Sequence, residues 1–190
     1  MKPTMGLIAG AAALLTALSP AVPAAAFKKA DLARLKKTKK CPNCDLSGIK
    51  VRRKGMSLYK ADLKGANLEG ADLQGVIIWR ANLEGANLKK ALLLETNLRF
   101  ANMKGANLEE ADLRRANLQF IDLGKANLYD ANLGRAMMQG TKLQGANLKY
   151  ANLKRAVFKG KVKFKGAILD LARWTNGRKC KKGSLGKCKR

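Results

Sequence analysis

Ala61-Asp62-Leu63-Lys64-Gly65-Ala66-Asn67-Leu68-Glu69-Gly70-Ala71-Asp72-Leu73-Gln74-Gly75 spells one five-residue unit three times over. The same phase holds from Leu58 to Phe158, where a large apolar residue falls at every fifth position, 21 times in succession. Seventeen of these are Leu; the others are Ile78, Met103, Met138 and Phe158. Two positions earlier stands Ala in 16 of the 21 units, the exceptions being Met56, Val76, Thr96, Ile121 and Thr141, and Asn or Asp lies between the pair in 15. The unit is A-(D/N)-L-x-x.

An amphipathic α-helix requires apolar residues at a 3.6-residue spacing, and a period of five would spread them around its whole circumference. A long helix is therefore excluded. Residues two apart do point the same way in an extended segment, and the two residues after Leu, often Gly, Lys, Arg or Glu, suit a corner. Each unit thus reads as a very short strand and a turn. Burying one Leu contributes roughly 1.5–3 kcal/mol, whereas ordering five backbones costs roughly 5–10 kcal/mol. No unit folds alone, and stability must come from stacked coils that share hydrogen bonds and one core.

With this motif in 21 tandem copies, the chain resembles the pentapeptide-repeat family, defined by A-(D/N)-L-x-x with Ala and Leu pointing inward. The resemblance is strict over residues 56–158 and extends, with phase shifts, over about 44–176. It implies an all-β fold, the family's right-handed quadrilateral parallel β-helix with four units per coil. Cys44-Asp45-Leu46 and Ile49-Lys50-Val51 precede a two-residue insertion, and Val162-Lys163-Phe164, Ala167-Ile168-Leu169 and Ala172-Arg173-Trp174 follow a one-residue insertion. The regular repeats make about five coils, a rod of roughly 25 Å at the usual strand spacing. Some members of the family protect DNA gyrase with an acidic, DNA-like rod; this chain is basic, so that activity is not carried over.

Both ends of such a rod expose unpaired backbone and need covers. Residues 27–43 are expected to form a basic amino-terminal segment with a short cap helix, in which Asp31 is the candidate cap and Leu32 and Leu35 the apolar pair. Residues 177–190 are read as a basic, cysteine-containing tail. Before these, residues 1–26 combine Lys2, the apolar run Met5 to Leu18, the break Ser19-Pro20 and Ala24-Ala25-Ala26. That pattern is a secretory signal peptide cleaved after Ala26, its apolar run being shorter than the roughly 20 residues a spanning helix requires. The expectation is an exported protein, periplasmic or extracellular, with no transmembrane segment in the mature chain.

The four cysteines fall into two pairs. Cys41-Pro42-Asn43-Cys44 has the spacing of thiol oxidoreductases and of half a zinc site, and Cys180 and Cys188 flank a basic stretch. The rod separates the pairs, so one shared tetrahedral site is excluded on geometry. In phase with the repeats, Cys44 takes an inward Ala position and Cys41 an inward Leu position. Two local disulfides pinning the caps are expected; free buried thiols at Cys41 and Cys44, or thiol–disulfide exchange there, are the alternatives.

Composition narrows the function. The chain has 190 residues, 39 Lys plus Arg against 13 Asp plus Glu, and no His. Without His there is no Ser-His-Asp or Cys-His nucleophile system and no mixed Cys/His zinc site. The inward positions are nearly all Ala and Leu, leaving no polar cavity for a small-molecule substrate, and no cofactor, metal or catalytic residue is expected. The positive charge lies at the ends: residues 27–55 hold 11 basic and 2 acidic side chains, residues 56–158 hold 15 and 10, and residues 159–190 hold 12 and 1. Basic ends can repel their own copies and so block end-to-end polymerisation, or attract a polyanion.

Counting in steps of twenty sorts the outward positions by face. One face collects Tyr59 and Trp79 in one column, Phe100 and Phe120 in the next, and Ile77, Met137 and Val157 where Asn or Asp is usual; it is the candidate partner surface, or else packs under the amino-terminal segment. Another stacks Arg114, Arg115, Arg135, Lys154 and Arg155, a candidate anion stripe. The functional expectation is a non-catalytic exported scaffold that binds a protein or an anionic envelope polymer. The alternatives are a binder of lipopolysaccharide, surface polymer or nucleic acid through the basic ends, and thiol–disulfide exchange at Cys41 and Cys44.

Overall fold

The computed structural model describes residues 27–51 and 56–189. The proposed signal peptide, residues 1–26, lies outside the described residues. The chain winds as a four-sided solenoid of parallel coils, each face contributing a one-residue bridge at its Asn/Asp position: Asp62 pairs with Asn82, Asn82 with Asn102, and Asn102 with Asp122. The step is twenty residues through the regular coils. It lengthens by two between the first coils, where Lys40 pairs with Asp62 and Asp45 with Asn67, and by one at the last, where Asn147 pairs with Ile168 and Asn152 with Arg173. Register is thus kept on both sides of each insertion. The ladder starts at Lys40, four residues ahead of the boundary expected at Cys44, because Cys41 already behaves as an inward Leu position, donating its N–H to the Asp62 carbonyl at 2.7 Å.

The regular corners are each closed by a backbone hydrogen bond, as where Ala66 donates its N–H to the Leu63 carbonyl at 3.0 Å. The residue before that donor has positive φ, 64° at Gly65 and 56° at Arg115, as a type II turn demands of its third residue. Inside, Leu and Ala positions from Leu58 to Leu153 are buried. The two polar exceptions are accounted for: Thr96 Oγ1 donates to the Leu73 carbonyl and Thr141 Oγ1 to the Leu118 carbonyl, both at 2.9 Å.

The preference for Asn or Asp has a direct cause. Asn67 Oδ1 accepts the Glu69 N–H that follows it, while Asn87 Nδ2 donates to Asn67 Oδ1 in the coil before at 3.1 Å. The amide chain continues through Asn107, Asn127 and Asn147. It begins at Asp45, and the chain on the preceding face begins at Asp62, where an acceptor alone is needed.

The ends are closed differently. Helix α1, Lys29–Thr38, buries Leu35 against the first coil. Asp31 is not its cap: the cap residue is Lys28, without a side-chain hydrogen bond, and Asp31 sits in the first turn. Its carboxylate instead accepts the Asp45 N–H at 2.9 Å, while Lys28 N–H donates to the Asp45 carbonyl at 3.1 Å. At the other end the tail reverses after Trp174 and pairs antiparallel with the last coil, Arg173 with Lys179 and Ile168 with Leu185. Beneath it Phe158, Phe164 and Trp174 pack ring against ring, with centroids 5.4–5.7 Å apart.

Candidate functional site

The basic face is built from the stack 92–95, 112–115, 132–135 and 152–155. Its first turn positions are Leu94, Arg114, Gly134 and Lys154, and its second are Glu95, Arg115, Arg135 and Arg155. Gly134 interrupts the first column. A Cβ there would lie 3.2 Å from Asn132 Oδ1 and 3.9 Å from Arg114 Cγ, so its lack leaves a notch between Arg114 and Lys154. The resulting groove, about 450 Å³, is lined by Arg114, Arg115, Arg135, Lys154 and Arg155 together with Leu94 and two asparagines. The structure therefore brings all five residues of the sequence stripe around one depression.

Two of the five cations are already neutralised. Arg114 grips Asp112 through Nε and Nη2 at 2.6–3.0 Å, and Arg115 Nη1 lies 3.1 Å from Glu95. Burial works against ionisation of Asp112, but the Arg114 side chain and backbone N–H outweigh it and hold the carboxyl below the usual Asp range. Among the described residues Arg135, Lys154 and Arg155 have no carboxylate at ion-pair distance. The groove presents three uncompensated cations in a shallow, open site, which suits retention of an anion.

The aromatic face is the stack 57–60, 77–80, 97–100, 117–120, 137–140 and 157–160. Tyr59 stacks on Trp79 and Phe100 on Phe120, each with centroids 5.1 Å apart. Arg80 joins the two pairs, its guanidinium 5.0 Å from the Trp79 ring and 5.9 Å from Phe100; Arg99 lies 5.4 Å from Phe100 and Lys60 5.2 Å from Tyr59. The Phe column stops at Gly140, where a Cβ would lie 2.7 Å from Phe120 Cδ1 and φ is 65°. Helix α1 packs on the end of the rod and leaves this face open: Ile77 is 48% exposed, Phe120 43% and Val157 42%.

The pentapeptide-repeat family model matches residues 55–89, 91–128 and 126–160, in 8 copies. The chain belongs to the pentapeptide-repeat family. Its fold is the family's right-handed quadrilateral β-helix. Among solved structures it is similar to HetL of the cyanobacterium Nostoc sp. strain PCC 7120, a pentapeptide-repeat protein involved in heterocyst differentiation regulation, with 27% identity over 74% of this chain and 86% of that one, at a TM-score of 0.29. It is also similar to Rfr23 of the cyanobacterium Cyanothece 51142, with 28% identity over 70% and 96% of the two chains and a TM-score of 0.31. A third similar structure is a pentapeptide-repeat protein of the Arabidopsis thaliana thylakoid lumen, with 31% identity over 64% and 70% and a TM-score of 0.32. A comparison with curated proteins finds no match.

In this pentapeptide-repeat protein all four cysteines are paired. Cys41 and Cys44 join across a corner with Cα atoms 5.4 Å apart, and Cys180 and Cys188 join with Cα atoms 5.1 Å apart. Both members of the first pair are buried, Arg34 Nη2 lies 2.6 Å from Cys44 Sγ, and Cys41 Sγ lies 3.2 Å from the Asp31 carbonyl oxygen. The Asp31 carboxylate lies within 4.8 Å of both sulfurs, but sulfurs bonded to each other are not thiolate ligands.

Sequence reasoning missed the role of Gly134. Most repeat glycines, such as Gly65 and Gly105, occupy the positive-φ second turn position; Gly134 and Gly124 occupy the first, where no backbone need calls for glycine. That misplaced glycine is the readable signal. Gly124 opens a second groove, about 370 Å³, among Lys104, Lys125, Lys142 and Lys163, with Asp122 on its wall.

Proposed function

We propose that this member of the family is a non-catalytic binding protein that takes an anionic polymer along the basic groove, at the envelope to which residues 1–26 would direct it. One observation carries the reading: Arg135, Lys154 and Arg155 converge without a carboxylate on a notch opened by Gly134. A linear polyanion suits this surface better than a small ligand, because the cations recur once per coil, about 4.7–4.9 Å apart along the rod. Lipopolysaccharide, a surface polymer and a nucleic acid all supply such charge. The buried, cross-linked Cys41 and Cys44 do not favour thiol exchange.

Binding of the full chain to lipopolysaccharide and to a single-stranded oligonucleotide, titrated from about 50 to 500 mM salt, tests the reading. The expected result is a linear fall of log affinity with log salt, its slope reduced by about 2 in the triple variant R135Q/K154Q/R155Q. Gly134→Leu, which fills the notch while leaving the charges, is expected to weaken binding. No binding at about 50 mM salt, or a slope that the triple variant leaves unchanged, removes the proposal.

A further inference from the structure

We infer that the aromatic face is a docking surface for an anionic lipid leaflet. This goes beyond the groove reading, since it uses different residues on a different side of the rod. The face departs from the repeat where the repeat has most to lose. Ile77, Met137 and Val157 replace the Asn or Asp whose side chain elsewhere closes the turn and links the coils, and each projects outward, 40–48% exposed. Along this face Asn97 and Asn117 still accept the following turn N–H, and Gln119 Nε2 donates to Gln139 Oε1 at 3.1 Å, but among the described residues no chain of Asn side chains like that from Asn67 to Asn147 joins the coils. Specific polar bonds have been exchanged for exposed apolar surface, running with Tyr59, Phe100 and Phe120 over roughly 25 Å of a flat wall.

Charge decides the occupant. The six segments of the face contain Lys60, Arg80, Arg99 and Lys159 and no Asp or Glu. The other faces carry carboxylates in their columns, as in the Lys89–Glu109, Lys64–Glu84 and Glu95–Arg115 pairs. Two copies meeting through this face would set cations against cations, so a second copy is disfavoured. A soluble polyanion would answer the cations and leave Ile77, Phe120, Met137 and Val157 in water. An anionic leaflet answers both: headgroup phosphates meet the guanidinium and ammonium groups, and the apolar side chains enter the boundary below. The cation–π contacts hold Arg80, Arg99 and Lys60 at the level of the rings, so charge and apolar surface lie in one layer. Tyr and Trp are themselves favoured at that depth.

The chain contains two tryptophans, Trp79 on the face and Trp174 in the carboxyl-terminal plug. In the full chain carrying Trp174→Phe, Trp79 emission therefore reports the face itself, whatever residues 1–26 do. Vesicles of brominated phosphatidylcholine, with and without phosphatidylglycerol, serve as the probe. Quenching and a blue shift of Trp79 are expected with the phosphatidylglycerol vesicles, with each basic side chain contributing about a fivefold gain in partition. The variant I77N/M137N/V157N restores the ordinary repeat residue and is expected to lose partition at least about tenfold with the coil spectrum unchanged. Arg80→Gln with Arg99→Gln, which leaves those three apolar positions in place, is expected to lower the preference for phosphatidylglycerol about 25-fold, at about fivefold for each cation removed. The inference is overturned if phosphatidylglycerol vesicles do not quench Trp79, or quench it equally in the triple Asn variant. It is also overturned if the parent is a dimer that the triple Asn variant converts to monomer.

Discussion

At its amino-terminal edge the first coil offers N–H groups and carbonyls that the helix meets one at a time: Asp31 and Lys28 take the Asp45 N–H and carbonyl, and Thr38 Oγ1 takes the Lys40 N–H and carbonyl. At its carboxyl-terminal edge the last coil offers the N–H groups of Leu169 and Trp174 and the carbonyls of Ala167 and Ala172. These alternate along the edge, and the tail meets them in kind: Ser184 and Arg178 give carbonyls, Gly186 and Cys180 give N–H groups, at 2.8–2.9 Å. A helix and its side chains close the first end; the second needs a strand. Because that strand runs antiparallel, it cannot continue the four-sided winding, and the ladder stops. The lesson is that a solenoid's two ends are not equivalent, since the backbone direction decides which groups each end leaves unpaired.

Removing residues 177–190 breaks this comparison most severely. It frees four backbone groups and uncovers Phe158, Phe164 and Trp174, so concentration-dependent association in light scattering is expected; a monodisperse monomer would show that the antiparallel strand is not what stops growth. Next, Cys180→Ser with Cys188→Ser is expected to lower unfolding free energy by about 2–3 kcal/mol in urea, from the loop it releases. At the opposite end Asp31→Ala is expected to cost about 1–3 kcal/mol by leaving the Asp45 N–H without an acceptor, and Asp31→Asn, which keeps an acceptor, distinctly less.

A pH series sharpens the same contrast. The Ser47 hydroxyl, the Ser47 N–H and the Asn67 amide hold the Asp45 carboxyl below its ordinary value of 3.8, against a smaller opposing effect of burial. A lowered folded value means that this stability is present above 3.8 and is lost as pH falls through the folded value. The urea midpoint is expected to hold from about pH 7 to 5 and to decline below about 4, with Asp45→Asn removing part of the decline. The smallest effect belongs to the coils between the ends: Lys125→Gly, at φ 58°, is expected to stabilise by about 1 kcal/mol or less, by relieving a left-handed side chain.

Much of the fold was legible because its contacts repeat. Once Leu58 to Phe158 is seen in one phase, each residue's neighbours follow by counting, and the two insertions show as steps of twenty-two and twenty-one. The columns Tyr59/Trp79 and Phe100/Phe120 could be counted the same way, although the placing of Arg80 between them could not. Asp31 was misassigned because a helix-cap pattern is local, whereas its hydrogen bond goes fourteen residues along the chain to Asp45. The pairing of the tail was missed because residues 177–189 carry no repeat from which a register could be read.

The sequence by itself determined the period, the inward Ala and Leu, the asparagine positions and the side on which each charge lies, since every one of these depends on separations of five or twenty residues. Only the tertiary structure decided that Gly134 opens a groove, that Arg135, Lys154 and Arg155 stand around it uncompensated, and how each end is sealed. Those outcomes depend on contacts at separations that do not repeat, and on which atoms are left unmatched once the repeating ones are satisfied.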